Sequence, residues 1–388
     1  MKSVLVLFGT RPEAIKLAPV IRELHRYHDE FVCRVCCTGQ HREMVEHVLD
    51  AFGLNLDFQF DAMSSAQSLG LLTGRLFYEV DRLLEAEKPD WLIVQGDTTS
   101  AMVSAVSAFY RHVAVGHVEA GLRTGRPLSP FPEEINRTFI GHVADLHFAP
   151  TYAAAENLRK AGVREETIHI TGNTVVDALQ WASERVRNGR GAEVASALAT
   201  FIENKRLVLV TSHRRESFGR GLENICRALL QTVERHKDVV IVYPVHLNPN
   251  VKGPVHRLLG SHPRIKLIEP VRYLDLVWLM QHSYCIFTDS GGIQEEAPSL
   301  GKPVLIMRET TERPEVIECG SARIVGVATD AIVAGACQLL EDPVTYEEMS
   351  QVRNPFGDGK ASKRIVSVLR SPEKYRLDQK SCNELLTS

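Results

Sequence analysis

No stretch of this chain approaches the roughly 18 consecutive apolar residues of a membrane-spanning helix. The opening "MKSVLVLFGTRPEA" loses its apolar character too early for a secretory core, so the expected location is the cytoplasm and no membrane partner is expected. Charge of one sign is also missing. Lys and Arg number 45 against 48 Asp and Glu, for a net charge of -3 and a pI near 6.6. That balance leaves no global basic field for nucleic acid, and any anionic ligand must be held by local groups. Cysteine is sparse, eight in all. Cys33 and Cys36 form a C-x-x-C pair beside Cys37 but lack a second pair, and side chains diverge along a strand-like run. Reduced structural thiols are therefore expected rather than a zinc site. Two signatures are absent as well: Gly-x-Gly-x-x-Gly after a first strand, and G-x-x-x-x-G-K-[ST] anywhere. Their absence removes the main signals of nicotinamide oxidoreductases and P-loop kinases, and no cofactor is expected. There is no internal repeat or low-complexity tract.

What is present is alternation. Short apolar runs read as buried parallel strands: residues 3–8, 32–37, 91–95, 113–118, 146–150 and 167–171, with amphipathic helical stretches between most of them. After a polar, weakly patterned segment around 187–205 the alternation restarts with runs at 207–212, 239–244, 265–270, 285–289, 303–307 and 322–326. The 388 residues suffice for two domains, and the reading is α/β, two Rossmann-like domains in series.

Ligands of such folds sit beyond the carboxyl ends of the strands, and nearly every strand end here carries charged or hydrogen-bonding groups. The first half offers Arg11 and Lys16 in "GTRPEAIK", Asp97 in "GDTTS", Glu119 and Arg123 in "EAGLRT", and Glu133, Glu134 and Arg137 in "PEEINR". A metal reading of His117-x-Glu119 rests on a weak ligand pair, and no metal is expected. The second half offers "SHRRESFGRG" with His213, Arg214 and Arg215, then "YPVHLNPN" with His246, and Arg313 in "TTERPE". In "FTDSGGIQEE" the small residues Ser290, Gly291 and Gly292 stand at a strand-to-helix turn, where N–H groups can meet a phosphate oxygen. Two carboxylates follow. One acid in a first helical turn is expected structurally; with a nucleoside diphosphate as ligand, the second, Glu296, would accept the ribose hydroxyls.

Taken in order, "FGTRPEAIK", "GDTTS", "GHVEAGLRT", "PEEINR", "ITGNTVVDAL", "HRRESFGRG", "YPVHLNPN", "TDSGGIQEEAPSLGKPVL", "TTERPE" and "NPFGDGKAS" resemble the non-hydrolysing UDP-N-acetylglucosamine 2-epimerases, in particular their enterobacterial form. The resemblance spans about Lys2 to Leu369. It implies a GT-B (glycosyltransferase B-like) architecture with UDP-sugar in the interdomain cleft. The expected domains are residues 1–172, residues 173–365 and a C-terminal segment, 366–388, whose helix returns to the first domain. It further implies a homodimer that interconverts UDP-GlcNAc and UDP-ManNAc for surface polysaccharide such as enterobacterial common antigen. The family's substrate contacts fall on Arg11, Lys16, Asp97, Glu119, His213, Val271, Leu276, Ser290, Gly291, Gly292, Glu296 and Arg313. Val271 and Leu276 are expected to act through backbone atoms around uracil. A second UDP-GlcNAc site that activates some members would use Gln40, Glu133, Arg214 and His246; Glu43 and Ala66 depart from those members, which have Gln and Arg there.

The chemistry narrows the roles. No carbonyl adjoins C2 of the sugar, so its proton is released only once UDP has begun to leave C1. Elimination to 2-acetamidoglucal and re-addition on the other face then exchange the two sugars. On this scheme Arg11, His213 and the Ser290 turn stabilise the departing diphosphate, and Asp97, Glu119 and Glu133 supply acid and base functions. The rival readings are a GT-B glycosyltransferase using UDP-GlcNAc and a hydrolysing epimerase releasing free ManNAc.

Overall fold

Strands covered on both faces read as unbroken apolar runs, and the computed structural model, which describes residues 1–39, 42–62 and 67–371, forms two all-parallel sheets from them. The chain divides into two units: Met1–Ala178 with the segment from Phe356 onward, and Leu179–Pro355.

In the first unit the strands are β1 (Lys2–Phe8), β2 (Phe31–Cys37), β3 (Phe58–Gln59), β4 (Trp91–Gln95), β5 (Ala114–Val118), β6 (Leu146–Ala149) and β7 (Ile168–Ile170). Their order is β3-β2-β1-β4-β5-β6-β7. Val4 of β1 is paired with Cys33 on one side and Trp91 on the other, so the order reverses between β1 and β4. Every residue of β4 and β5 is buried. The helix Thr99–Tyr110 presents Ser100, Ala101, Ser104, Ala105 and Ala108 as buried small residues, which lets its backbone lie close to the sheet. Gly9 shows how close: a Cβ there would stand 2.4 Å from Ser100 Oγ and 2.7 Å from Thr38 Oγ1. The two-residue strand β3 has no counterpart in the sequence reading, because "FQ" is too short to show periodicity. Cys33, Cys36 and Cys37 are free thiols, and burial pushes Cys33 up to about 12.

The second unit holds β8 (Arg206–Thr211), β9 (Val239–Pro244), β10 (Ile265–Ile268), β11 (Ser283–Thr288), β12 (Val304–Ile306) and β13 (Ala322–Ile324), in the order β10-β9-β8-β11-β12-β13. Here the reversal falls between β8 and β11. The segment read as weakly patterned contains a helix, Val194–Ile202, whose Val194 N–H donates to Asp275 Oδ1 at 3.1 Å. Gly191 before it has φ +81, and a Cβ there would meet Leu274 at 2.3 Å. That stretch is thus packed onto the helix Tyr273–His282.

The units meet the sequence at 178/179 and 355/356, where the sequence reading drew 172/173 and 365/366. The reason for the second difference lies in the helix Ala361–Arg370. Asp177 is buried and accepts Ala361 N–H (3.1 Å), Ser362 N–H (2.8 Å) and Ser362 Oγ–H (2.5 Å), which caps that helix within the first unit. At its other end Lys2 Nζ donates to the carbonyls of Leu369 and Arg370, and Arg370 pairs with Glu30 at 2.6 Å. Among the described residues no helix is long and apolar enough to cross a membrane.

Candidate active site

The reversal of strand order marks the place beyond the strand ends of each unit where such folds open a crevice, and several of the singled-out residues follow the strands that flank it. In the first unit, β1 leads into Gly9, Thr10 and the helix Arg11–Arg26, β4 into Gly96 and Asp97, and β5 into Glu119. Lys16, one turn into its helix and buried, donates from Nζ to Glu119 Oε2 at 2.6 Å. Gln95, the last residue of β4, donates to the same oxygen. Glu119 has φ +63, a left-handed conformation that costs a non-glycine residue about 1–3 kcal/mol. The backbone turn therefore aims this carboxylate, and the lysine and glutamine fix it. Asp97 Oδ2 accepts from Arg137 at 2.8 Å (Nε) and 2.6 Å (Nη2), while Asn136 holds its carbonyl at 2.8 Å. Arg137 also grips Glu134 at 2.9 Å. Burial opposes ionisation of Glu134, but the N–H groups of Thr124 and Gly125 and the Arg137 guanidinium outweigh it and hold the carboxyl below its usual range. Glu133 opens the helix Glu133–Val143 that carries Glu134, Asn136 and Arg137. His117 does not join this group: its Nε2–H donates to the Gly96 carbonyl at 2.7 Å, and burial pushes its pKa down to about 3, so the ring is neutral.

A carboxylate missed in the sequence sits beneath these loops. Glu13, 2% exposed, accepts the N–H groups of Gly9 (3.1 Å) and Thr10 (2.7 Å) on one oxygen and the Thr98 hydroxyl (2.8 Å) on the other. It ties the loop bearing Arg11 to the loop bearing Asp97. Burial raises its pKa to about 7 against the pull of those hydrogen bonds. The Thr/Glu spacing of a capping box was the available signal.

In the second unit, β8 leads into Ser212, His213 and Arg214, and β11 into Asp289, Ser290 and Gly291. Asp289 is fully buried, and its Oδ2 accepts Ser212 Oγ–H (2.9 Å), His213 N–H (2.8 Å) and Arg214 N–H (2.9 Å). Its other oxygen lies 3.3 Å from His213 Nδ1. A buried carboxylate in that position favours the proton on Nδ1 and leaves Nε2 as the reactive nitrogen. The His213 ring stacks on His246, with centroids 5.7 Å apart. Asp289 was also passed over in the sequence, since its partners lie more than seventy positions away.

Ser290 occupies the N-cap position of the short helix Gly291–Glu296 without a side-chain capping bond. A Cβ on Gly291 would stand 3.8 Å from Arg313 Nη2 and 3.9 Å from Arg214 Nη2, so two guanidinium groups converge on this turn. The two acids have different protein partners: Glu295 takes Arg313 Nε at 2.5 Å, and Glu296 accepts the buried Tyr273 hydroxyl at 2.7 Å. Burial and the Glu296 carboxylate hold the Tyr273 pKa well above its usual value. Val271 precedes the helix Tyr273–His282, and Leu276 lies within it with its N–H bonded to the Arg272 carbonyl at 3.0 Å. Gln40 and Ala66, and the side chains of Glu43 and Arg215, lie outside the described residues.

The family model for UDP-N-acetylglucosamine 2-epimerase matches residues 22–370. The chain belongs to the UDP-N-acetylglucosamine 2-epimerase family. It is 50% identical over 370 residues to the UDP-N-acetylglucosamine 2-epimerase of Salmonella typhimurium, covering 95% of this chain and 98% of that one. With the Escherichia coli K12 protein of the same name the identity is 49%, again over 95% and 98%. The crystal structure of UDP-GlcNAc 2-epimerase from Neisseria meningitidis bound to UDP-GlcNAc aligns with a TM-score of 0.88 at 43% identity, covering 95% of this chain and 99% of that one. Two Rossmann-like units in one chain are the composition of the GT-B class, which the sequence reading assigned.

Proposed function

We propose that the chain interconverts UDP-N-acetylglucosamine and UDP-N-acetylmannosamine by eliminating UDP and adding it back. The observation that carries the reading is collinear similarity over nearly the whole chain, 50% and 49% identity to two UDP-N-acetylglucosamine 2-epimerases over 95% of it. In the forward step the C1–O bond breaks with its electron pair passing to the diphosphate. A carboxylate takes the C2 proton and C1=C2 forms. In the return step a proton is delivered to C2 from the opposite face while the diphosphate oxygen attacks C1.

The residues suit these roles. Asp97, Glu119 and Glu133 are the acids and bases; Glu119 is aimed by its backbone turn and braced by Lys16 and Gln95, Asp97 is braced by Arg137. His213, its Nδ1 facing the Asp289 carboxylate, donates from Nε2 as the doubly protonated imidazolium to the departing diphosphate, with Arg11, Arg313 and the turn at Ser290, Gly291 and Gly292 sharing its charge. Glu296, held by Tyr273, takes the ribose hydroxyls. Val271 and Leu276 flank uracil. Gln40, Arg214 and His246 belong to the activating second UDP-GlcNAc site. The reaction uses no cofactor, and the enzyme works in the cytoplasm to supply surface polysaccharide synthesis. It acts as a homodimer: Phe109 and Tyr110 end one helix, Ile135 and Phe139 lie on another, Leu71 and Tyr78 on a third, and all six are exposed. The first of these helices packs against each of the other two in the first unit.

The experiment is turnover of UDP-GlcNAc alone in heavy water, with an oxygen label in the bridge between C1 and the phosphate. UDP-ManNAc should form with deuterium at C2, and the label should scramble into the non-bridging oxygens. Deuterium without scrambling rejects the elimination route. Free ManNAc with UDP as main products indicates a hydrolysing enzyme, and no reaction without an acceptor indicates a glycosyltransferase.

A further inference from the structure

At the amino-terminal edge of the second unit's sheet, at the opposite strand ends from His213 and Ser290, a mixed donor set comes together. His236 follows the helix Arg220–Arg235 and precedes β9; Cys337 and Glu341 stand one turn apart on the helix Thr329–Glu341. His236 Nε2 lies 3.6 Å from Cys337 Sγ and 3.6 Å from Glu341 Oε1, and the three donor atoms fall within 4.8 Å of one another. It is the one such group among the described residues.

We propose that His236, Cys337 and Glu341 form a zinc(II) site that clips these two helices together. Bond lengths of about 2.3 Å to sulfur and 2.0–2.1 Å to nitrogen and oxygen require donor separations of roughly 3.3–3.6 Å around a tetrahedral ion. The two His236 distances already match that. Thiolate, imidazole and carboxylate together select a borderline-soft ion over magnesium or calcium, which take oxygen. Thiolate and carboxylate balance the double charge, and water completes the fourth position. The site is pre-arranged: His236 N–H bonds to the Thr232 carbonyl (3.1 Å), and its own carbonyl accepts Val239 N–H (3.1 Å) and Arg264 Nη1 (2.7 Å). His236 and Cys337 are buried, while Glu341 is about half exposed and gives an entry path. Arg235 Nε holds Glu341 Oε1 at 3.0 Å. A carboxylate has lone pairs enough to serve both the guanidinium and the ion. Nothing here touches substrate, so the metal acts on stability.

The test uses the full chain, stripped with chelator and titrated with Zn2+ by calorimetry, then with Co2+ by absorption. The wild type should bind one equivalent that Cys337→Ser does not. The cobalt form should show a thiolate charge-transfer band that Cys337→Ser lacks, and the melting temperature should climb with the logarithm of free Zn2+. Equal zinc stoichiometry in the two proteins, or a cobalt spectrum with no Cys337-dependent sulfur band, overturns the site. Should Cys337→Ser not fold, the rim variant Glu341→Gln decides: zinc affinity reduced at least about tenfold supports the site, and unchanged affinity overturns it.

Discussion

Glu13→Gln is the substitution whose effect the structure lets one work out in sign and size. The buried carboxyl has its pKa raised from 4.5 to about 7, first by burial, with the hydrogen bonds from Thr10, Thr98 and Gly9 working the other way. A group with a raised folded pKa contributes stability that is fully present below its unfolded pKa. That contribution is lost as pH rises to the folded value, because the folded chain then holds a proton that the unfolded chain has released. The window is therefore pH 4.5 to about 7. A shift of about 2.5 units at 1.36 kcal/mol each amounts to about 3 kcal/mol lost by pH 8. Glutamine copies the protonated shape: its carbonyl oxygen accepts from Gly9 and Thr10, and the Thr98 hydroxyl turns to accept from the amide. The variant should equal the wild type at pH 4.5 and exceed it at pH 8. For a unit of this size that means roughly 6–12 °C in melting temperature. The assay is a series of thermal melts of both proteins between pH 4.5 and 8.5, read as the difference at each pH. Two parallel curves, or a variant that melts lower at pH 8, refute the account of Glu13 as an acid held protonated by burial.

Two further substitutions bear on the site. Asp289→Asn keeps an oxygen for Ser212, His213 N–H and Arg214 N–H but turns a neutral NH2 toward His213 Nδ1, removing the negative charge that supports a doubly protonated, donating ring. Turnover should fall by roughly 10²–10⁴-fold with the Michaelis constant changed only severalfold and the pH–rate profile altered; turnover near wild type refutes the positioning role. Glu296→Ala should raise the Michaelis constant far more than it lowers turnover, by the equivalent of about 1.5–3 kcal/mol. Tyr273→Phe should act in the same direction and more weakly, and a large turnover loss at unchanged Michaelis constant for Glu296→Ala contradicts the ribose assignment.

The strands were legible because sheets covered on both faces write their buried residues as unbroken runs, as in "WLIVQ" and "VVIVYP". The strand Phe58–Gln59 was not, since two residues carry no period, and the helix Val194–Ile202 was hidden among polar neighbours that its contact with Asp275 offsets. The residues proposed to meet the ligand stood out at strand ends. Those that support them did not: Asp289 acts on groups 75–77 positions away and Glu13 reaches Thr98 across 85, contacts of which sequence spacing carries no trace, although the bonds of Glu13 to Gly9 and Thr10 follow capping-box spacing. The pairing of Glu296 with Tyr273 depends on a helix whose approach only the fold reveals.

The capping of Ala361–Arg370 by Asp177 has a consequence for how the chain is made. Asp177 and Ser362 are separated by 185 positions, and at about 5–20 residues per second a ribosome needs roughly 10–40 s to travel from one to the other. During that interval the amino-terminal sheet has been synthesised but its carboxylate at 177 has no capping partner. The continuous stretch Leu179–Pro355 emerges in full before the first unit receives its last helix. The first unit to begin is thus the last to be completed, and a nascent chain stalled between 178 and 361 lacks the helix that Asp177 caps.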